Sequence, residues 1–212
     1  MALERLLHID ASPRAGRSRS RVVAGHFVMR LAERQPGLTV ERLDLWDVPL
    51  PSLADGMIEG RYALIMGGEV DPDIRAAWDE VGRHADHFLS FDAYVISTPM
   101  WNFGIPYPLK HYVDVVTQPR MAFTNDAHGH ITGHAAGKKA MIVAASAMDI
   151  QPQGPLAGYD FQLNYLTTWL QFIGITDIAP LRVAPTFGPS AAVEAAMATA
   201  MCAAEQMAED FC

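Results

Sequence analysis

Short apolar runs alternate along this chain with segments whose apolar residues recur at helical spacing. Runs that are rich in aliphatic residues predict strands at 5–10, 38–45, 93–97, 138–146 and 175–183. The segments between and after them predict helices at 21–34, 71–88, 106–117, 159–174 and 189–209. Strands that alternate with helices, several of them apolar throughout, are typical of a parallel sheet covered on both faces.

Polar residues and prolines set several of these boundaries. Ser18 or Ser20 can cap the first helix, and Asp71 followed by Pro72 is a typical start for the second. Residues 46–68 give no clear pattern, and residues 118–137 look like an excursion from the sheet. No linker or repeat divides the chain, so we expect one domain over residues 1–212.

The composition and net charge of the chain limit the kinds of molecule that the protein can bind. The chain has 212 residues and a net charge of -8, which argues against nucleic-acid binding and against docking to an acidic membrane surface. The longest apolar stretch, residues 140–148, is about half as long as a membrane span. Residues 1–10 lack the uninterrupted apolar region of a signal peptide. We therefore expect a cytoplasmic protein with no nucleic-acid or membrane partner.

Cysteine and histidine patterns predict neither a thiol site nor a metal site. Cys202 and Cys212 have no CxxC spacing, and two cysteines do not make a disulfide framework. His128, His130 and His134 lie in one segment, but no acidic or cysteine ligand recurs at fixed spacing, so we expect solvated loop histidines. No GxSxG nucleophile elbow or carboxylate pair indicates hydrolysis.

The loop ASPRAGRSRS, residues 11–20, joins the first strand to the first helix. It brings Ser12, Ser18 and Ser20 to a helix N-terminus, where free N–H groups and the helix dipole favour an anion. Four of the sixteen Lys and Arg residues lie within residues 14–21, three in this loop at positions 14, 17 and 19 and one directly after it at position 21. A bound phosphate would compensate these cations, and the alternative is a capped surface helix with solvated arginines. Neither a Walker A loop nor GxGxxG is present.

Two further loops follow the third and fourth strands. PMWNFG, residues 99–104, contains no acid, base or nucleophile; its flat and uncharged groups suit a planar heterocycle, or else pack in the core around a proline turn. SAMD, residues 146–149, follows the fourth strand. Because the carboxyl ends of parallel strands meet at one edge of a sheet, we expect all three loops to lie together there.

Taken together, these segments resemble the FMN-dependent NADH-azoreductases, also called FMN-dependent NADH:quinone oxidoreductases. The matching pieces follow the family's order: the serine loop at 12–20, PMWNFGIP at 99–106, LKHYVD at 109–114, GKK at 137–139 and FIGITD at 172–177. PMWNFGIP and LKHYVD are the specific part. The resemblance implies a flavodoxin-like three-layer sandwich with a five-stranded parallel sheet in the order 2-1-3-4-5.

The resemblance implies an FMN site built by the three loops. The matching positions hold the phosphate (Ser12, Ser18, Arg19, Ser20), the ribityl and isoalloxazine groups (Met100, Trp101, Asn102, Phe103) and the flavin edge (Ser146, Ala147, Met148, Asp149). The last loop departs from the S-R-G-G common in the family: it loses an arginine and two glycines and gains a carboxylate. We expect that negative charge to disfavour anionic reduced flavin.

The implied reaction is ping-pong: NADH or NADPH reduces bound FMN, and a quinone or aromatic azo compound then receives two electrons. The flavin N5 is the reactive centre, so no catalytic side chain is predicted. Phe123 and Phe172, together with Trp101, match positions that line the substrate side.

The family forms homodimers with the flavin near the interface. Helix 159–174 has an apolar arc of roughly half its circumference, which either an interface or deep burial explains. Two other activities fit the same residues: an NAD(P)H-dependent FMN reductase that releases reduced flavin, and a flavodoxin-like electron carrier that does not oxidise nicotinamide. A flavin or nucleotide sensor without turnover is a third alternative.

Overall fold

Five parallel strands form the central sheet of the computed structural model, which describes residues 3–54 and 56–211. The strands of the described residues are β1 (Arg5–Asp10), β2 (Thr39–Asp44), β3 (Ala93–Pro99), β4 (Phe123–Asn125), β5 (Ile131–Gly133), β6 (Lys139–Ala145) and β7 (Asp177–Val183). The sheet has the order β2-β1-β3-β6-β7, with all neighbours parallel. Since β6 and β7 are its fourth and fifth strands, the predicted order 2-1-3-4-5 is confirmed.

Helices cover both faces of this sheet, as predicted. They are α1 (Arg19–Arg34), α2 (Met57–Ile65), α3 (Pro72–Leu89), α4 (Tyr107–Val116), α5 (Phe161–Phe172) and α6 (Ser190–Asp210). Residues of α1 and α6 pack on one face, and residues of α3, α4 and α5 pack on the other. Among the described residues, no helix is both long and apolar enough to cross a membrane.

Alternation along each strand explains why the apolar runs are continuous. Leu7 and Ile9 of β1 join the cluster beneath α4 and α5, whereas Leu6 joins the cluster beneath α1 and α6. Successive side chains of a strand point to opposite faces of the sheet, and here helices cover both faces and exclude water from them. Most positions of a strand between two such faces are therefore apolar, and the two polar residues near the end of β1, His8 and Asp10, are buried with partners of their own.

The helix caps agree with the sequence prediction, with small shifts at the ends. Ser18 is the N-cap of α1, its Oγ accepting a hydrogen bond from the Arg21 N–H at 3.2 Å. Asp71 caps α3 in the same way, with Pro72 as the first helical residue. The first helix starts two residues earlier than predicted because the cap is Ser18, the earlier of the two candidate serines.

The two unassigned segments contain structure that the pattern did not reveal. Residues 46–68 include α2, of which only Met57 and Gly60 are buried, so it has little apolar periodicity. Residues 118–137 include the antiparallel β4–β5 hairpin, whose three-residue strands are too short to show alternation. The histidines there make local contacts: His130 pairs with Asp126, and His134 lies 2.5 Å from the Met121 carbonyl oxygen. Cys212 lies outside the described residues, and Cys202 is an exposed free thiol.

Candidate functional site

A small cavity lies where β1, β3 and β6 end, as expected for a parallel sheet. Its volume is about 190 Å³. The residues that line it are Ser12, Arg14, Ser18, Arg19, Ser20, Pro99, Met100, Trp101, Ala145, Ala147 and Thr186. The structure therefore brings all three predicted loops to one place.

One end of the cavity offers hydrogen-bond donors to an anion. The hydroxyls of Ser18 and Ser20 lie 3.2 Å apart at the start of α1, and both residues are buried. Within the described part of the chain, the N–H groups of Arg19 and Ser20 have no hydrogen-bond acceptor. These N–H groups belong to the first helical turn, which has no intrahelical acceptors for them and carries the positive end of the helix dipole. This donor set suits a phosphate.

The arginines of the same loop fall into two groups. Arg14 and Arg19 line the cavity, and neither they nor Arg17 forms an ion pair with any carboxylate of the described residues. Arg21 differs, because its guanidinium pairs with Asp10 and Asp44 of this chain. Three of the four predicted cations thus remain uncompensated by protein, whereas Arg21 is already neutralised.

The PMWNFG segment folds as a tight two-residue turn after β3. Trp101 and Gly104 exchange two backbone hydrogen bonds, each 3.0 Å long. Between them, Asn102 has φ 47° and Phe103 has φ 72°, the left-handed geometry of a type I′ turn. A phenylalanine in this region costs roughly 1–3 kcal/mol. The turn holds Trp101 and Phe103 at the surface, each 38% exposed, where they can contact a flat ligand.

A group of aromatic rings supports this turn. Trp46 lies 5.8 Å from Trp101 and 5.4 Å from Tyr107, measured between ring centroids, and Phe103 lies 5.1 Å from Tyr159. Trp46 Nε1 donates to the Ala11 carbonyl at 3.0 Å, which ties the rings to the serine loop. Sequence reasoning missed Trp46 because it lies in the unassigned segment 46–68, and no local pattern connects it to Trp101.

Side-chain hydrogen bonds hold the third loop, residues 146–149. The Ser146 carbonyl accepts from both the N–H and the hydroxyl of Thr186, each at 2.9 Å, and Ser146 Oγ donates to the Met148 carbonyl at 2.7 Å. Asp149 accepts a hydrogen bond from Gln151 at 2.6 Å. Thr186 also lines the cavity, but it follows β7, and the sequence pattern indicated only the loops after the first, third and fourth strands.

Several predicted residues lie beside the cavity or away from it. Five predicted residues belong to the loops around the cavity but do not line it: Asn102, Phe103, Ser146, Met148 and Asp149. Phe123 and Phe172 pack against each other at 4.8 Å, and Phe172 lines a larger cavity of about 540 Å³.

The larger cavity lies between α2, α4 and α5, and its wall contains one positively charged side chain, that of Arg61. Its wall includes Tyr62, Trp169 and Arg61, and burial followed by the nearby charge of Arg120 lowers the pKa of Arg61. Of the predicted substrate-lining residues, only Trp101 lies on the serine-lined cavity of the chain, and Phe123 and Phe172 do not.

The comparisons with known proteins agree with this geometry. The Flavodoxin_2 family model, described as a flavodoxin-like fold, matches residues 4–207. An FMN-dependent NADH:quinone oxidoreductase of Nitratidesulfovibrio vulgaris is 39% identical over 97% of this chain and 99% of its own length. One of Desulfotalea psychrophila is 35% identical, over 99% and 98%.

The chain belongs to the FMN-dependent NADH:quinone oxidoreductase family. The predicted resemblance is thereby confirmed. A solved azoreductase of Bacillus anthracis has the same fold, with a TM-score of 0.89, 23% identity, and coverage of 98% of this chain and 100% of its own.

Some family-specific residues of this chain have structural roles. Lys110 and Asp114 form an exposed ion pair one helical turn apart in α4, with Lys110 Nζ 2.5 Å from Asp114 Oδ1, whereas Tyr112 of the same helix is fully buried in the core. Lys138 donates to the Leu89 and Phe91 carbonyls at 2.9 and 2.5 Å, at the end of α3. The LKHYVD and GKK segments therefore stabilise the scaffold, whereas residues of the serine loop and PMWNFG line the candidate site.

Proposed function

We propose that this protein binds FMN and transfers two electrons from NADH or NADPH to quinones and aromatic azo compounds. The observation that carries the proposal is one cavity in which the N-terminus of α1, with N–H groups that have no intrahelical acceptor, meets the exposed aromatic turn. Family membership supports the same activity. When bound, FMN would supply the redox chemistry of a two-electron, ping-pong transfer from the nicotinamide to the acceptor.

The residues present fit such a group. Ser12, Ser18, Ser20 and the free N–H groups of α1 would bind the phosphate, with Arg19 as a cation without a carboxylate partner. Trp101 and Phe103 would pack against the ring system, and Asn102 offers an amide between them. Apart from Arg19, none of these side chains is an acid or a base, because their work is to bind, to orient and to exclude water.

An anaerobic visible spectrum of the purified protein tests this proposal. Flavin absorbance that bleaches with one equivalent of NADH or NADPH, and returns on adding a quinone, is the expected result. Flavin that stays oxidised with both nicotinamides would indicate an electron carrier or a sensor. Activity that depends on added free FMN would indicate a flavin reductase. A protein that neither contains flavin nor binds added FMN would contradict the proposal.

Replacing Trp101 with alanine is expected to reduce acceptor turnover more than FMN affinity. The indole contacts the cavity near the aromatic turn, whereas the phosphate donors lie on α1. We expect kcat/KM for a quinone to fall about tenfold, the value of one lost aromatic contact, with a smaller change in the Kd of FMN because its proposed phosphate contacts are unaltered. Trp101→Tyr, which restores the residue common in the family, is the control and should retain activity. Unchanged quinone kinetics at full FMN occupancy would count against this role.

Replacing Asp149 with asparagine is expected to raise the midpoint potential of bound FMN. The carboxylate is exposed and follows the cavity-lining Ala147, so its repulsion of anionic reduced flavin is screened to below about 1 kcal/mol. For a two-electron couple this corresponds to on the order of 10–20 mV. Spectroelectrochemistry measures the shift. Asp79→Asn on α3, an equal change of charge outside the three loops, should leave the potential unaltered, and a D149N potential at or below the wild-type value would rule the effect out.

We also propose a cytoplasmic homodimer built from a single FMN-binding domain over residues 1–212. The buried side of α5 explains part of its apolar arc, but Phe161 is 59% exposed and Phe172 is 36% exposed. A second copy packed on this face would cover them and bring Phe123 and Phe172 towards the partner's substrate side. Sedimentation analysis should give twice the chain mass, and a monomer at micromolar concentration would refute the dimer. The exposed free thiol of Cys202 fits a reducing compartment.

A further inference from the structure

A compact group of four charged residues lies behind the serine loop. It consists of Asp10 at the end of β1, Arg21 in the first turn of α1, and Arg42 and Asp44 of β2. Asp10 is fully buried, and the Arg21 side chain is 15% exposed. The group carries two positive and two negative charges, so it is neutral as a whole.

The ion pairs of this group join three elements of the fold. Arg21 Nε contacts Asp10 Oδ2, and Arg21 Nη2 lies 2.8 Å from Asp44 Oδ2. Arg42 Nη2 approaches the same two carboxylates at 3.1 and 2.8 Å. Buried ion pairs of this kind contribute little net stability, because desolvation offsets the attraction. Their presence beside the site therefore calls for a role other than stability.

The group holds both sides of Ser12, the cavity residue. Asp10 Oδ1 accepts a hydrogen bond from the Ser12 N–H at 3.1 Å, and Arg21 Nη2 donates to the Ser12 carbonyl at 3.2 Å. Arg21 itself is absent from the residues that line the cavity. Its guanidinium forms ion pairs with Asp10 and Asp44, and it contacts the serine loop through one hydrogen bond, to the Ser12 carbonyl.

The same group reaches the aromatic side of the site. Asp44 Oδ1 accepts from the Trp46 N–H at 3.2 Å, and the Trp46 indole contacts Trp101. One set of ion pairs thus fixes the serine loop and, through Asp44, the ring that supports the aromatic turn.

We propose that Asp10 and Arg21 are positioning residues that pre-order Ser12 to bind the phosphate of the flavin. The inference rests on the proposed function, since it assumes that FMN is the ligand. Fixing the loop before binding removes an ordering cost from the association, and so raises affinity for the phosphorylated flavin. Riboflavin, which lacks the phosphate, gains nothing from this pre-ordering.

The test measures the Kd of FMN and of riboflavin for the full chain after removal of flavin, by quenching of flavin fluorescence. The ratio of the riboflavin Kd to the FMN Kd isolates the contribution of the phosphate, and it falls when FMN alone binds more weakly. Arg21→Met is expected to reduce this ratio about tenfold, through weaker FMN binding and unchanged riboflavin binding. Arg30→Met is the matched control, because Arg30 lies on the same helix and also pairs with two carboxylates, Glu33 and Glu205. A general loss of stability would weaken both flavins alike and overturn the proposal.

The variant Asp10→Asn distinguishes two roles of Arg21: positioning of Ser12, and direct attraction of the phosphate by its positive charge. If Arg21 attracted the phosphate by its charge, removing the negative Asp10 would strengthen FMN binding. If Asp10 and Arg21 instead position Ser12, the opposite is expected: Asp10→Asn should lower the ratio of the riboflavin Kd to the FMN Kd, as Arg21→Met does. If either variant does not fold, Arg21→Lys decides: it keeps the cation but cannot reach Asp10, Asp44 and the Ser12 carbonyl together, and should lose part of the ratio. A wild-type ratio in Arg21→Lys would overturn the proposal, whereas wild-type protein that binds neither flavin would instead refute the function.

Discussion

Replacing Gly133 with alanine is expected to lower the melting temperature by roughly 6–12 °C, the effect of about 3 kcal/mol in a protein of this size. Gly133 ends β5 and lies against the end of α5. A Cβ at this position would lie 2.0 Å from the Ile173 carbonyl carbon and 2.4 Å from the Gly174 N. Both are backbone atoms, so no side-chain rotation relieves the overlap. The hairpin must separate from the helix or shift as a whole.

The same substitution should disturb the Phe123–Phe172 pair. Phe123 is paired in register with Gly133, and Phe172 is the last residue of α5. Moving the two elements apart would increase the 4.8 Å separation of these rings. Calorimetry measures the stability, and acceptor kinetics measure the effect on the proposed substrate side.

Gly25→Ala is the matched control for this prediction. Gly25 lies inside α1, is exposed, and has no atom within 4 Å of the position that a Cβ would take. Alanine there should raise stability by about 0.5–1 kcal/mol, because it favours the helix. If Gly133→Ala melted within a degree or two of the wild type, the close approach of β5 to α5 would be wrong.

The overall architecture was predictable because its signals are local and repeated. Five apolar runs, each between helical segments, imply a parallel sheet covered on both faces, and the caps Ser18 and Asp71 mark helix starts by the chemistry of single residues. The order of the strands came from the family resemblance rather than from the runs. The short β4 and β5 gave no such signal, since three residues cannot establish a period.

The candidate site was predictable in part, for a related reason. Loops that follow strands lie at one edge of the sheet, so Ser12, Trp101 and Ala147 could be placed together from their positions alone. Trp46 and Thr186 could not, because they reach the site through contacts between distant segments. The left-handed backbone at Phe103 was also unpredictable, since its residue type disfavours that conformation and only the surrounding turn imposes it.

We expect a loss of stability in weak acid because a histidine is buried in β1, between β2 and β3 of the sheet. His8 lies in β1, is 4% exposed, and its Nε2 lies 2.9 Å from the Ser97 hydroxyl. Burial lowers the pKa of His8 from 6.5 to about 4, and the charges of Arg42 and Arg21 act in the same direction against the opposing charge of Asp10. In the unfolded chain the imidazole is free to take up a proton near pH 6.5.

The sign follows from where the proton binds. Above pH 6.5 the histidine is neutral in both states, so its full contribution to stability is present. Between pH 6.5 and 4 the unfolded state binds a proton that the folded state does not, and stability falls by up to about 3 kcal/mol. Below pH 4 both states are protonated and the contribution stays lost.

Replacing His8 with glutamine removes the titrating group and keeps a nitrogen that can reach Ser97. Free energies of unfolding, measured with denaturant at steps from pH 7 to pH 4, should show a shallower decline in His8→Gln than in the wild type. The comparison cancels the carboxylates that both proteins titrate over the lower part of this range. His128→Gln, a change at an exposed loop histidine, should follow the wild-type curve. Parallel curves for His8→Gln and wild type would mean that His8 is not held neutral by the sheet, and the acid sensitivity would then have to arise from the carboxylates.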